Sequence, residues 1–488
     1  MKQKMISFLC AALTGAALLC GCQKSPETSA VISKNDGSFD IGILQSATHP
    51  QGEAEATAGE DVGNLFQYQD RFFSTDGKVE FQMEITEDFP DQAMPVVEVA
   101  PHFFTGEDAK RIAYALFGEG DYYEAEPLMA PVYSKSEIQE KIARWSAYDG
   151  SLGGYDISKS GFIKNYTLMM ETAPDENPHT PCQWTFRKAS FYLDGAEAAA
   201  QADTSQDNDE IQVSVKVDGI PFLFAISTRN KADFKINNLS IYPYDGSSPA
   251  GVDNYIFRER LCRTEKPNEA DVEAVKSKAE ALLEQMAVGD WAIDQCYVEE
   301  TQDDHPEYTI VVKAVPNFQQ VAAIRLPQLS NLKSEVSYAS TYYLTDVEFT
   351  FNISGDLVNL DMRSPVDIVS VINEDVQTLS KEELMQTAQN YFTHTEYETY
   401  TVGYDIASVG EELGCRVVID DVEYGLARVK VPNTADSYYY VPAMCFKGKI
   451  ENYGKDSGRI YTSHIFGDGP RILLLLNAVD GTVINTNQ

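Results

Sequence analysis

Six histidines, eight cysteines and 75 acidic side chains are the raw material for chemistry in this 488-residue chain. A metal site built from them would show ligands at short fixed spacings, as in HExxH or paired CxxC elements. Instead His49, His102, His179, His305, His394 and His464 are scattered, and His49, His179 and His305 stand near proline in loop-like sequence. No metal site is expected from them. Ser330-Asn331-Leu332-Lys333 matches SxxK, an acyl-transfer nucleophile pattern, but no KTG box accompanies it and Pro327 suits a loop. A GxSxG elbow, a glycine-rich phosphate cradle and an EF-hand loop are missing. The run from Asp294 to Glu307 contains Glu299, Glu300, Asp303 and Asp304 without Lys or Arg. It offers oxygen ligands for calcium, yet it reads more simply as a solvated acidic hairpin. Carboxylates elsewhere are too numerous to single out a pair, because glycosidase chemistry depends on their separation in space. Tyr342-Tyr343 and Tyr438-Tyr439-Tyr440 offer aromatic platforms for a sugar or peptide, although Tyr is equally at home on half-buried strands. No catalytic residue, no cofactor and no metal ligand is assigned, and the chain reads as a non-enzyme.

The strongest chemical signal is a covalent modification. Lys2 and Lys4 precede an uncharged apolar stretch, Met5 to Leu19, too short for the roughly 20 residues of a permanent membrane helix. It reads as a signal peptide. The stretch closes with Leu19-Cys20-Gly21-Cys22, which resembles the bacterial lipobox, with Leu at −3 and a small residue at −1. Cys22 fits the acylated position; Cys20 does not, since Leu19 would then fill the small-residue place. The resemblance implies removal of residues 1–21 and a diacylglyceryl group on Cys22, which would hold the protein on the extracytoplasmic face of the cell membrane. Residues 22–63, rich in Ser, Thr, Ala, Gly and acid, read as a flexible tether. Cys182, Cys262, Cys296, Cys415 and Cys445 remain, an odd number at wide spacings. They are expected to be small buried hydrophobes, with a Cys415–Cys445 bridge left open by the oxidising compartment.

The elements that would position any site are legible from caps and periodicity. Thr105 with Asp108, Ser134 with Glu137, and Ser380 with Glu383 are capping-box patterns, each ahead of an apolar stripe. A longer helix is expected from Asn268 through Val272, Val275, Ala279, Leu282, Leu283 and Met286 to Gly289. Strict alternation marks strands at Val79–Ile85, Ile211–Val217 and Val347–Ile353, and Asp218-Gly219 signals a two-residue hairpin into Ile220–Ile226. Gly355 turns into Val358, Leu360 and Met362, and Leu473–Ala478 with Asp480-Gly481 and Val483-Ile484 repeats the hairpin pattern. The fold class is therefore α+β, with mainly antiparallel sheets covered by amphipathic helices. Asp203–Glu210 reads as an acidic loop and 245–253 as a joint, giving an N-terminal domain at 64–246 and a C-terminal part at 254–488. Helices near 105, 268 and 380, each leading into strand-like sequence, hint at a recurring unit without a fixed period.

Charge narrows the partners. A formal net charge of −37 repels phosphate backbones and anionic membrane surfaces, which excludes nucleic-acid binding.

The closing segment, 350–488, resembles known proteins. Phe351-Asn352-Ile353-Ser354-Gly355, Ser364-Pro365-Val366, Val371 to Val376, the helix at Ser380, Val441 to Gly448, and Leu475-Leu476-Asn477-Ala478-Val479-Asp480-Gly481-Thr482-Val483-Ile484 follow in an order that resembles a family of uncharacterised lipoproteins from Gram-positive gut anaerobes. The end of the chain is also similar to the YycH/YycI-type extracytoplasmic regulators of the WalK sensor kinase and to the PepSY-like αβ unit. It differs at Ala443-Met444, where such proteins often carry an aromatic, and lacks the membrane span of the WalK regulators. The resemblance implies no catalytic residue. The expected role is non-enzymatic binding or regulation at the cell envelope, with a protein, peptide or glycan partner. The alternatives are the substrate-binding lipoprotein of an importer and an envelope hydrolase.

Overall fold

A computed structural model describes residues 65–89, 92–125, 133–147, 159–176, 179–188, 207–217, 220–231, 234–244, 266–300, 307–326, 345–395, 411–430, 437–461 and 471–484. Cys22, Cys262, His49, His305, His464, the SxxK sequence, Tyr342-Tyr343 and the 245–253 joint lie outside them.

The first elements are β1 (Leu65–Phe73), β2 (Val79–Asp88), β3 (Val96–Pro101), α1 (Gly106–Phe117), β4 (Tyr123–Glu124), α2 (Lys135–Ala147), α3 (Lys159–Thr172) and β5 (Arg187–Lys188). Then come β6 (Asp207–Val217), β7 (Ile220–Lys231), β8 (Phe234–Pro243), α4 (Glu269–Met286), β9 (Trp291–Glu300), β10 (Tyr308–Phe318), β11 (Val321–Ala322), β12 (Asp346–Phe351) and β13 (Leu357–Arg363). The chain closes with β14 (Val366–Asn373), α5 (Lys381–Thr393), β15 (Leu413–Lys430), β16 (Tyr438–Gly454), β17 (Ile460–Tyr461) and β18 (Arg471–Asn477).

The capping boxes form as their sequences predict. The Thr105 hydroxyl accepts from the Asp108 amide while the Asp108 carboxylate accepts from the Thr105 amide, so two of the first turn's otherwise unpaired donors are satisfied. Reciprocal boxes close Ser134 with Glu137, Asn268 with Asp271 and Ser380 with Glu383. The long helix α4 ends at Met286, three residues before Gly289, because Ala287 itself takes the left-handed conformation, at φ 50°. In β2 every inward residue of the alternating set, Val79, Phe81, Met83 and Ile85, is buried. Val217 pairs with Ile220 at the near ends of β6 and β7, while the Asp218-Gly219 pair between them lies outside the described residues. The acidic stretch 203–210 is not all loop: its last four residues begin β6, paired with 227–230 of β7.

Two sheets result. The first has the order β1-β2-β15-β16-β3-β14, with β17 and β18 also on β16; the second runs β11-β10-β12-β13-β8-β7-β6-β4, with β5 on β6 and β9 on β10. Among the described residues every strand-to-strand pairing is antiparallel except β2 with β15, and an isolated parallel bridge joins Ala323 to Leu426. The architecture is α+β. Helix α5 covers the first sheet through Leu384, Met385, Ala388 and Phe392, while α1 and α4 together cover the second. Helices α2 and α3 pack on each other through Ile138, Trp145 and Tyr166.

The division expected at 246/254 is corrected by this topology. Both sheets draw strands from either side of that joint; the changes of sheet fall between β3 and β4 and again between β13 and β14. The second sheet is thus an insertion into the first unit. Its entry and exit lie side by side because β3 and β14 are antiparallel neighbours, with Val366 opposite Pro101. His102 N–H donates to the Pro365 carbonyl, and the Asn237 side-chain amide donates to the His102 carbonyl, fastening the insertion at its neck. The sheets also meet where Ile324 N–H donates to the Leu426 carbonyl. A Cβ at Gly425 would stand 2.9 Å from the Ala322 carbonyl oxygen, so this approach needs glycine.

Candidate functional site

A cleft of about 230 Å³ lies between α2 and the ends of β4, β6 and β7. Tyr123, Tyr133, Glu137, Lys141, His179 and Tyr244 are among its walls. The amphipathic α2 creates it. Ile138 and Trp145 turn toward α3, where Trp145 stacks on Phe162 at 4.6 Å between centroids, and the next face of the helix presents Glu137, Glu140, Lys141 and Arg144 to the cleft.

The charged groups there hold one another in place. His179 Nε2 lies 3.0 Å from Glu137 Oε1, and the other Glu137 oxygen accepts from the Ser134 amide and hydroxyl that start the helix. Burial opposes ionisation of Glu137, but the hydrogen bonds from Ser134 and the neighbouring His179 outweigh it and hold the carboxyl below its usual range. Lys141 is buried along its stem and places its ammonium over the Tyr133 ring at 4.3 Å and near the Tyr166 ring at 5.9 Å. Lys216 pairs with Glu140 at 3.3 Å, and the Tyr123 ring packs 5.3 Å from the His179 ring. The result is a small concave surface with aromatic walls and paired charges, suited to a polar group carried by a ring or short chain.

A second ionic cluster lies where the sheets approach. Arg363 grips the buried Asp346 with two bonds, Nε to Oδ1 at 2.6 Å and Nη2 to Oδ2 at 2.9 Å, and Arg325 stands 3.8 Å away. Nearby, burial pushes the Glu423 carboxyl up against the pull of Lys447, and partial desolvation raises that of Asp294 against Arg325 first and Lys447 second, although Asp294 keeps an exposed face. Glu423 and Asp294 are the carboxylates a hydrolase reading would select, but the Lys447 ammonium sits 2.5 Å from Glu423 and engages it as a structural pair.

The residues singled out by sequence mostly stay apart. His102 binds Asp367 at the neck with Nδ1 at 2.9 Å, His179 joins the cleft, and His394 caps α5. Among the described residues no group of three or more His, Cys, Asp or Glu side chains is placed to hold a metal ion. Glu299 and Glu300 are exposed on β9, which pairs antiparallel with β10; Asp303 and Asp304 lie outside the described residues. Tyr438, Tyr439 and Tyr440 are no platform: all three are buried, Tyr438 and Tyr440 between the sheets, with Tyr440 against Phe318, and Tyr439 on the other face of β16 in a separate cluster with Val441, Ala443 and Leu475. Cys415 and Cys445 are both buried free thiols. Register forbids their bridge, because Cys415 faces Asn452 while Cys445 faces Glu423, about eight residues further along β15 or roughly 26 Å at strand spacing. The Glu137–His179 contact was invisible in sequence, being built across 42 positions; the capping box at Ser134 was its only local trace.

No family model matches this sequence, and none of the curated proteins matches it. Among solved structures it is similar to the crystal structure of an uncharacterized protein from Eubacterium rectale ATCC 33656. That match is 10% identical, covers 91% of this chain and 97% of the other, and has a TM-score of 0.32.

Proposed function

We propose that this chain is a lipid-anchored extracytoplasmic protein that binds a partner at the cell envelope without transforming it. The observation that carries the anchoring is the sequence Leu19-Cys20-Gly21-Cys22 behind a charged start and an apolar stretch. The mutually paired groups of the α2 cleft support binding over catalysis: Glu137 is spent on a helix cap and a histidine, and Lys141 rests on aromatic rings. The predominantly antiparallel sheets favour this reading over an importer receptor, whose lobes are doubly wound with parallel strands. The similarity of the closing segment to envelope regulators points the same way. The test is fractionation of cells producing the native chain or Cys22→Ala. Native protein is expected in the membrane fraction and the variant outside it; equal membrane partitioning of both would refute the anchor.

A further inference from the structure

The last strand of the first sheet, β14, is an open edge that two bulges interrupt. Strand β14 pairs with β3 on one side, and among the described residues no strand takes the other. Its sequence, Val-Asp-Ile-Val-Ser-Val-Ile-Asn, contains no Lys or Pro to discourage a further strand. Ile368, Val369 and Val371 are 52%, 55% and 41% exposed. The register with β3 shifts between Ile368 and Ser370 and again between Val371 and Asn373, so Val369 is the extra residue of a bulge, and it is left bare beside Ile368. A cavity of about 240 Å³ opens at the start of the strand, bounded by Val366, Asp367 and Ile368 on one side and by Asp290, Trp291 and Phe318 of the second sheet on the other.

Charge selects the occupant. Residues 92–101 and 366–380, which hold β3, β14 and the turn after it, carry Glu98, Asp367, Glu374 and Asp375 and no Lys or Arg. Asp290 adds a carboxylate to the cavity wall, and the Asp367 side chain remains 56% exposed beside its His102 contact. A second copy would bring the same acids against these, from a body of net charge −37. An extended chain with apolar residues and interspersed Lys or Arg complements both the bare strand and its acidic surroundings.

We propose that β14 is the docking edge for an extended cationic polypeptide segment, which joins the first sheet as an added strand. Backbone hydrogen bonds to β14 supply affinity, apolar side chains cover Ile368, Val369 and Val371, and a basic side chain enters the cavity toward Asp290 and Asp367. The site is distinct from the α2 cleft, and its failure would leave the anchoring reading intact.

The test uses the full chain in detergent and capped eight-residue peptides of alternating Val and Lys, or Val and Glu, followed by fluorescence anisotropy and hydrogen exchange. The Val-Lys peptide is expected to bind, to weaken with salt, and to protect amides within 366–373. Ile368→Lys with Val371→Lys should weaken it about tenfold or more, with an unchanged melting temperature showing an intact fold. Equal binding of the Val-Glu peptide, undiminished binding by the folded double variant, absence of binding up to about 1 mM peptide, or dimerisation of the native chain through β14 would each overturn the proposal.

Discussion

Replacing Asp346 by Ala removes the anion at the centre of the ionic cluster in the second sheet. Asp346 opens β12 directly opposite Arg363 on β13, and its side chain is 3% exposed. It takes two hydrogen bonds from Arg363 and faces Arg325, so its loss leaves two largely buried guanidinium groups without their shared counter-charge. Removing one partner of a buried pair costs about 3–5 kcal/mol. The lower end, about 3 kcal/mol, is expected here, because Glu348 lies 3.9 Å from Arg363 and both arginines keep some contact with water. The assay is urea unfolding followed by tryptophan fluorescence. Trp184 and Trp291 pack on the core of the second sheet and Trp145 lies in the helix pair beside the cleft, so the signal reports the inserted unit. Arg363→Met in the Asp346→Ala background should recover part of the loss, giving a coupling of roughly 2 kcal/mol. A loss under about 1 kcal/mol, or strict additivity of the two changes, would refute the reasoning.

Glu411 accepts hydrogen bonds from Ser457 and Tyr461, which bring its carboxyl down to about 2. A carboxyl depressed in the folded state stabilises above its ordinary range near 4.3 and loses that contribution as pH falls toward 2. The Ser457 amide resonance should therefore titrate with a midpoint near 2, and a midpoint near 4 would contradict the contact. Burial raises the Cys415 thiol to about 12 and the Cys445 thiol higher still. Native alkylation at pH 8 should spare both, whereas denaturation should make both reactive without a reductant; a requirement for reductant would mean that one or both are disulfide-bonded.

What could be read from sequence was local. Capping boxes and alternation depend on residues three or two positions apart, and Thr105, Ser134, Asn268, Ser380 and the β2 core behave accordingly. Helix α3 leaves no clear mark in the sequence because Leu168 and Met169 point to solvent, so its apolar residues form no clean stripe. The insertion was equally hidden. It depends on β3 meeting β14 and on β2 meeting β15 in parallel, pairings between distant segments that no turn or spacing announces. A Gly, Ser and Pro-rich joint looked like a boundary, yet a change of sheet requires only a short connection between strands such as β13 and β14. The tyrosine triplet misled for a related reason: aromatic residues on a strand look alike in sequence whether water or a second sheet covers them.

The anchoring claim is tested most directly by mass spectrometry of the native protein purified from membranes. The account predicts an N-terminal peptide that begins at Cys22 and carries the mass of a diacylglyceryl group. A mature chain with residues 1–21 still attached, or an N-terminus free of lipid, would contradict it.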